Sequence, residues 1–273
     1  MDGIEIPSDQ VVPLDAVATG VVGLRIAIVN VFGITTEDGW VLVDAGLNGS
    51  AARIQAWAHE LFGDEAPRGI VLTHAHFDHI GALDRLLETW PVTCYVHPDE
   101  LPYVTGAESY PAPDPSVGGG LMSRMASMYP RRPIDIRGRV GLLPDDGRIP
   151  GLPGWRWVHT PGHTAGHVSL FRDADRTLVV GDAFCTTKQE SFLAVATQRP
   201  ELHGPPAYFT TDWDAARGSV RRLAALKPMF VAPGHGRPMA GQEMTERLDE
   251  LASRFDEVAR PEHGRYVERP TRG

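Results

Sequence analysis

One stretch constrains this chain more than any other: Thr73-His74-Ala75-His76-Phe77-Asp78-His79-Ile80-Gly81. Three histidines and an aspartate fall within six residues, directly after the apolar run Ile70-Val71-Leu72. Side chains on extended backbone alternate faces. His74 and His76 therefore point the same way and can grip one ion. Asp78 shares that parity and His79 does not. A helical turn at this point would swing Asp78 and His79 towards a second ion beside the first. Neutral imidazole suits zinc, iron and similar metals, and a carboxylate adds charge compensation. A histidine-rich surface turn is the plain alternative, but a compact His/His/Asp/His set is far more specific than a lone histidine.

The segments around this cluster alternate between strand and helix patterns. Leu24 to Phe32 is apolar and rich in β-branched residues, which predicts a strand. Glu37-Asp38-Gly39 supplies a turn, and Trp40 to Val43 returns as a strand that delivers Asp44 to its end. Asp44 could equally cap a turn. Ser50 is the expected N-cap of a helix marked by Ile54, Trp57, Ala58 and Leu61, with Gly63 at its close. After the cluster, Ile80, Leu83, Leu87 and Trp90 mark a second amphipathic helix, ended by Pro91. Thr93 to Val96 is the next strand. Strand, helix, strand, helix predicts layered α/β architecture.

Residues 98–135 differ. They hold several prolines, the run Gly118-Gly119-Gly120, three tyrosines (Tyr103, Tyr110, Tyr129) and three methionines (Met122, Met125, Met128). A long insertion of this kind is usually functional or poorly ordered, and a lid over the metal site is the expectation. The methionines could share one side of a short helix, as core or as substrate surface. Beyond it, Trp155 to His159 is a strand running into Thr160-Pro161-Gly162-His163. Val168 to Phe171 and Thr177 to Val180 form a hairpin ending at Gly181-Asp182. Asp214 is the expected cap of a helix bearing Val220, Leu223 and Leu226, with Pro228 beyond it. Met229 to Ala232 is a short strand before Pro233-Gly234-His235-Gly236. Met244, Leu248, Leu251, Phe255 and Val258 mark one last packing helix, and 260–273 a polar tail.

Asp44, the 74–79 cluster, His163, Asp182 and His235 each follow an apolar strand, in or beside a glycine-containing loop. Ligands at the same end of several strands can converge in space. In this pattern the chain resembles the metallo-β-lactamase fold superfamily, especially its glyoxalase II-like hydrolases, over roughly residues 20–240. The pattern there is Asp, then His-x-His-x-Asp-His, then His, Asp and His. The resemblance implies an α/β (α+β) chain folded as a four-layer αββα sandwich, with residues 1–259 as one domain and 98–135 inserted. It implies that His74, His76 and His163 hold one metal, that Asp78, His79 and His235 hold another, and that Asp182 bridges them. Asp44 would orient ligands from behind. Two Zn2+ ions, with iron or manganese as alternatives, would make hydroxide from water near neutral pH and polarise a carbonyl or phosphoryl oxygen. Asp78 would also orient the nucleophile or relay a proton. His159 and His167 exceed the ligand count and suit supporting roles. His59, His97, His203 and His263 suit surface or packing roles.

The bridging aspartate argues against antibiotic hydrolysis, since true β-lactamases of the fold generally lack it. Quorum-signal lactonases are the closest rival. Many carry tyrosine three residues after that aspartate, where this chain has Cys185. A phosphoester hydrolase and an iron-dependent oxidoreductase on the same fold are further alternatives. Segment 184–213, with Lys188, Gln189, Phe192, His203, Tyr208 and Phe209, should border the pocket. Its mixed aromatic and polar character suits a small ester, thioester or lactone. Cys185, Phe192, Tyr208, Met122 and Met125 are the candidate pocket residues.

The formal net charge of −9 over 273 residues argues against a general nucleic-acid or anionic-membrane surface. Two cysteines argue against a disulfide framework as the organising device and fit a reducing cytoplasm. The opening residues lack a signal peptide's basic and apolar regions. A small molecule is the expected partner, and a homodimer the assembly to look for.

Overall fold

In a computed structural model that describes residues 3–267, the chain builds two sheets packed face to face. After a two-residue strand, Ile4–Glu5 (β1), the first sheet runs through Val21–Ile26 (β2), Val29–Thr36 (β3), Gly39–Val43 (β4), Ile70–Val71 (β5), Cys94–Val96 (β6) and Val140–Leu142 (β7). Its spatial order is its chain order. The strands are antiparallel from β2 to β4 and parallel from β4 to β7. Helices Ala51–Phe62 (α1), Phe77–Ile80 (α2) and Leu83–Thr89 (α3) lie along this half, followed by the short helices Leu101–Val104 (α4) and Leu121–Met125 (α5).

The second sheet contains Trp155–His159 (β8), Val168–Arg172 (β9), Thr177–Gly181 (β10), Phe230–Pro233 (β12) and Met239–Ala240 (β13), while Glu201–Leu202 (β11) pairs instead with β1. The sheet order is β13-β12-β10-β9-β8, and β10 and β12 are parallel. Phe192–Thr197 (α6), Trp213–Ala225 (α7), Gln242–Ser253 (α8) and Phe255–Val258 (α9) complete the chain.

Alternation along the strands explains the layers. In β4, Val41 and Val43 face the other sheet, packing in a cluster with Val71, Val168, Leu170, Val179 and Ala232. Between them Leu42 faces the opposite way, against Ile54 and Ala58 of α1 and Leu83, Leu86 and Leu87 of α3. In the second sheet Leu178, Val180 and Val231 turn outwards onto Val220 and Leu223 of α7 and Leu248 and Leu251 of α8. The order helix, sheet, sheet, helix is the αββα sandwich, and each layer buries one apolar face of the next. No helix among the described residues is long and apolar enough to cross a membrane.

Several boundaries differ from the sequence expectation. The single strand over 24–32 is two strands, β2 and β3, joined through Ala27 and Ile28, with Ile26 paired to Val29. Ala27 takes a φ of 53°, a place where such a hairpin ordinarily uses glycine. The cap of α7 is Asp212, whose carboxylate accepts from Ala215 N at 2.9 Å; Asp214 lies in the first turn. Ser50 precedes α1, but its hydroxyl donates back to Leu47 O at 2.6 Å. The last helix breaks at Arg254 into α8 and α9, while Met244, Leu248, Leu251, Phe255 and Val258 are all buried as the pattern requires. The three methionines do not share a face. Met122 is buried, whereas Met125 is 37% and Met128 75% exposed, because α5 gives way to a 3-10 turn at Ala126–Met128. The start of the expected tail is docked: Tyr266 donates to Ala112 O at 2.6 Å. Its residues 268–273 lie outside the described residues, as do Met1 and Asp2.

Candidate metal centre

Asp44, the 74–79 segment, Asp182 and His235 lie at or just beyond the ends of β4, β5, β10 and β12, and His163 lies in the loop after β8. After the fully buried His74 the chain stays extended through His76, with φ −66° and ψ 155°, then coils into α2. That single helical turn carries Asp78 and His79 round to the second cluster. Three groups of donor atoms result: His74/His76/His163, His74/His79/Asp182 and Asp78/His79/His235. Within each group the atoms lie within 4.8 Å of one another. His76 Nδ1 is 2.9 Å from both His74 Nε2 and His163 Nε2. Asp182 lies between the sets, with Oδ1 3.4 Å from His79 Nε2 and Oδ2 3.0 Å from His235 Nε2 and 3.5 Å from His163 Nε2. Gly234 makes this approach sterically open, because a Cβ there would stand 2.3 Å from Asp182 Oδ1.

The surrounding hydrogen bonds decide which nitrogen each ring offers. His79 Nδ1 is 2.8 Å from Asp44 Oδ2, and His235 Nδ1 is 2.7 Å from Ile28 O. Each can donate there and leave Nε2 facing the centre. His163 Nδ1 meets Thr210 Oγ1 at 3.3 Å, and His74 Nδ1 meets Thr73 Oγ1 at 3.2 Å. Asp44 also accepts from Thr73 N and Thr73 Oγ1 at 2.8 and 2.9 Å, with its own backbone at φ 62°. His167, fully buried, accepts from Asp182 N at 2.8 Å and so holds the backbone of the central aspartate. His159 stands apart, stacked on His97 with centroids 4.3 Å apart and planes 12° apart. Those two rings and Asp99 form a further donor group, but nearly parallel imidazoles offer no common in-plane point for one ion.

A cation fits the central donors. His79 Nε2 and Asp182 Oδ1 are buried and have no hydrogen-bond partner, a cost that a metal bond would remove. Burial drives the pKa values of His74, His76 and His163 down, the last to about 4, so these rings are neutral and have lone pairs to give. Burial also opposes charge on His79 and His235, but the nearby carboxylates, Asp182 foremost, outweigh it and raise both. Asp182 is correspondingly lowered: His235 and His79 overcome the upward push of burial. Asp78 is raised, chiefly by burial.

These directions predict proton release. Without a cation, His79 and His235 hold protons to higher pH than a free histidine would. Their contribution to stability is fully present below the unfolded pKa and fades as pH rises through the raised folded value. A metal at Nε2 must displace those protons. Metal uptake should therefore acidify an unbuffered solution, and affinity should rise with pH until the raised pKa is passed. A pH-stat titration measures both; uptake without proton release would contradict the raised values.

Tyr208 is 3% exposed, its ring 5.0 Å from Phe209, which itself stacks on His76 at 4.6 Å. Tyr129 stacks on Phe77 at 5.4 Å. Phe192 is 60% exposed on α6. Cys185 has no exposed surface, its backbone pairs with His203, and burial pushes its thiol well up, so it presents neither contact area nor a ready thiolate. Met122 and Met125 sit on α5 as described. Residues 116–119, Lys188, Glu190, His203, Val258, Ala259 and residues 261–263 line a cavity of about 450 Å3 that includes none of the seven expected ligands. Thr73, Glu100, Tyr110 and Thr210 also touch the ligand loops. Thr73 heads the histidine cluster and Tyr110 is one of the tyrosines of the inserted segment, but no sequence pattern ties either to a supporting role, and Glu100 and Thr210 carry no signal.

The family model described as the metallo-beta-lactamase superfamily matches residues 25–235. The chain is 45% identical over 263 residues to "Probable metallo-hydrolase YflN" of Bacillus subtilis, covering 92% of this chain and all of that one. It is 29% identical to "Probable metallo-hydrolase YybB" of the same organism, over 79% of this chain and 83% of that one. Among solved structures, TTHA1623 in a di-iron-bound form superposes with a TM-score of 0.55 at 28% identity, covering 82% of this chain and 96% of that one. ST1585 from Sulfolobus tokodaii gives a TM-score of 0.61 at 20% identity over 86% of each chain, a likeness of fold.

Proposed function

From the premise that the chain belongs to the metallo-beta-lactamase superfamily and is a metallo-hydrolase, we propose that it is a glyoxalase II-like enzyme with a dinuclear centre, hydrolysing a small ester, thioester or lactone. The observation that carries this is Asp182, a buried carboxylate within 3.5 Å of histidines from both ligand sets, with one oxygen unpartnered. Two zinc ions held by His74, His76 and His163 on one side and Asp78, His79 and His235 on the other would supply hydroxide and polarise the scissile carbonyl.

The chain's own groups do the rest. Asp44 holds the His79 ring, and the Ile28 carbonyl holds that of His235. Asp78, placed beside His235 in the second set, would also relay a proton to the leaving oxygen or sulfur as its bond to the acyl carbon breaks. Tyr129, half-buried on Phe77 and backed by the buried Phe209 and Tyr208, forms an aromatic wall beside His76, and its open side would take the apolar part of a small substrate. Segments 98–135 and 184–213 supply that wall, which is why we assign substrate choice to them. Both cysteines are unpaired and buried, which suits a cytoplasmic enzyme.

A panel of esters, thioesters, lactones and phosphoesters, run on protein of measured metal content, tests this. Metal-dependent turnover of carbonyl esters or thioesters is the expected result. Turnover confined to phosphoesters would move the substrate class. A second metal identity has a specific observation in its favour, the di-iron form of TTHA1623. Protein purified without added metal that held iron and oxidised its substrate would replace hydrolysis with redox chemistry.

A further inference from the structure

We propose that Glu100 is a positioning residue that clamps together the two loops bearing His74, His76 and His163; this rests on those histidines being a metal site. Glu100 lies outside every motif that the sequence pattern picks out. It closes the 3-10 turn Pro98–Glu100, the first turn of the inserted segment, and is 1% exposed.

Its carboxylate reaches two loops at once. Oε2 accepts from Ala75 N at 3.0 Å, between His74 and His76, and from the Tyr110 hydroxyl. Oε1 accepts from Thr164 Oγ1 at 2.6 Å and from Gly166 N at 3.1 Å, just past His163. Ala75 N also meets the Tyr110 hydroxyl at 3.0 Å, and the Tyr110 ring lies 4.3 Å from that of His76. A Cβ on Gly166 would stand 2.7 Å from Glu100 Cγ and 2.8 Å from Glu100 N, so the glycine is what lets the loop close onto the carboxylate.

The two loops belong to different sheets, and a backbone bond joins them from Val168 N to Thr73 O at 2.9 Å, before His74 and past His163. Glu100 adds a tie nearer the histidines themselves, because one carboxylate bonds the first loop at Ala75 and the second at Thr164 and Gly166. The loops it ties carry the three nitrogens that converge at 2.9 Å. In the second set His79 and His235 are held by other partners, Asp44 and the Ile28 carbonyl, and Asp78 Oδ2 lies 3.5 Å from His235 Nε2. The clamp should therefore act on one metal and spare the other. Four donors converge on the carboxylate, so a glutamine, whose amide nitrogen donates, leaves a backbone N–H facing another N–H.

Stepwise chelator competition on Glu100→Gln, with metal content measured at each step, tests this. The expected result is one of the two ions released about 10- to 100-fold more readily than in the wild type, the scale for losing an outer partner of a metal site, while the other is held as before. A cobalt-loaded sample should show a changed visible spectrum for the weakened ion alone. Tyr110→Phe, which removes one donor and keeps the ring, should shift the same ion in the same direction by less, and stands in if Glu100→Gln does not fold. Wild-type affinity for both ions in these variants would overturn the clamp and leave the hydrolase intact. Equal weakening of both ions alongside loss of metal-free stability would reduce Glu100 to scaffold. A wild-type protein that took up no metal would bring down the hydrolase and the clamp together.

Discussion

Asp182→Ala should empty the centre of metal and abolish turnover with it. The side chain has no substitute. One oxygen faces His79 at 3.4 Å, and the other faces His235 at 3.0 Å and His163 at 3.5 Å. Truncation removes the carboxylate that most strongly raises both His79 and His235, so the site would lose its proposed bridging ligand and its main charge compensation together. The loss in affinity should exceed the roughly 10- to 100-fold typical of outer partners. Metal content after dialysis, measured beside turnover on the same sample, checks it. Asp182→Asn keeps the shape and removes the charge, and should fail almost as badly. A variant reloaded with metal and as active as the wild type would refute the ligand assignment.

Trp40→Ala should be the costliest change away from the metals. Trp40 is 1% exposed beneath α1, with its ring stacked on Phe62 at 4.3 Å and set edge-on to Trp90 at 5.6 Å. Its indole N–H donates to Glu65 O at 2.9 Å. Removal opens a cavity beneath two helices and strands a carbonyl, for a loss of about 3–5 kcal/mol. Chemical denaturation at fixed metal concentration measures this, and a loss below about 1 kcal/mol would show that the helix layer collapses onto the gap. Trp40 is far along β4 from Asp44, so metal content in the folded fraction should not change.

Much of this architecture is legible because two periods rarely mislead when they are long. The helical spacing of Ile54 and Ala58, and of Leu248 and Leu251, marks faces that are buried. The alternation in β4 separates Leu42 from Val41 and Val43. The donor residues were visible for a different reason: histidine and aspartate after apolar strands are conspicuous, and strand ends converge. What escaped the sequence depended on contact across the chain or on unusual backbone. The β2–β3 turn carries no glycine, asparagine or proline, so nothing in Ile26-Ala27-Ile28 marks it. Asp212 and Asp214 are both plausible caps by composition, and only the hydrogen bond to Ala215 N separates them. Glu100 acts through residues 25 and 64 positions away, a distance that no local pattern spans.

The division of donors between the sheets has a thermodynamic consequence. His74, His76, Asp78 and His79 follow a strand of one sheet, and His163, Asp182 and His235 follow strands of the other. An ion shared by such donors is a rivet between the chain's two halves. The unfolded chain has no comparable set of preassembled donors, so every rivet draws the folding equilibrium towards the native state. At a hundredfold excess of free metal over its dissociation constant, one site adds about 2.7 kcal/mol, a large share of the 5–15 kcal/mol that holds an ordinary domain together. Metal supply would then govern how long the molecule survives as well as how fast it works, and a starved cell would lose the protein along with its activity.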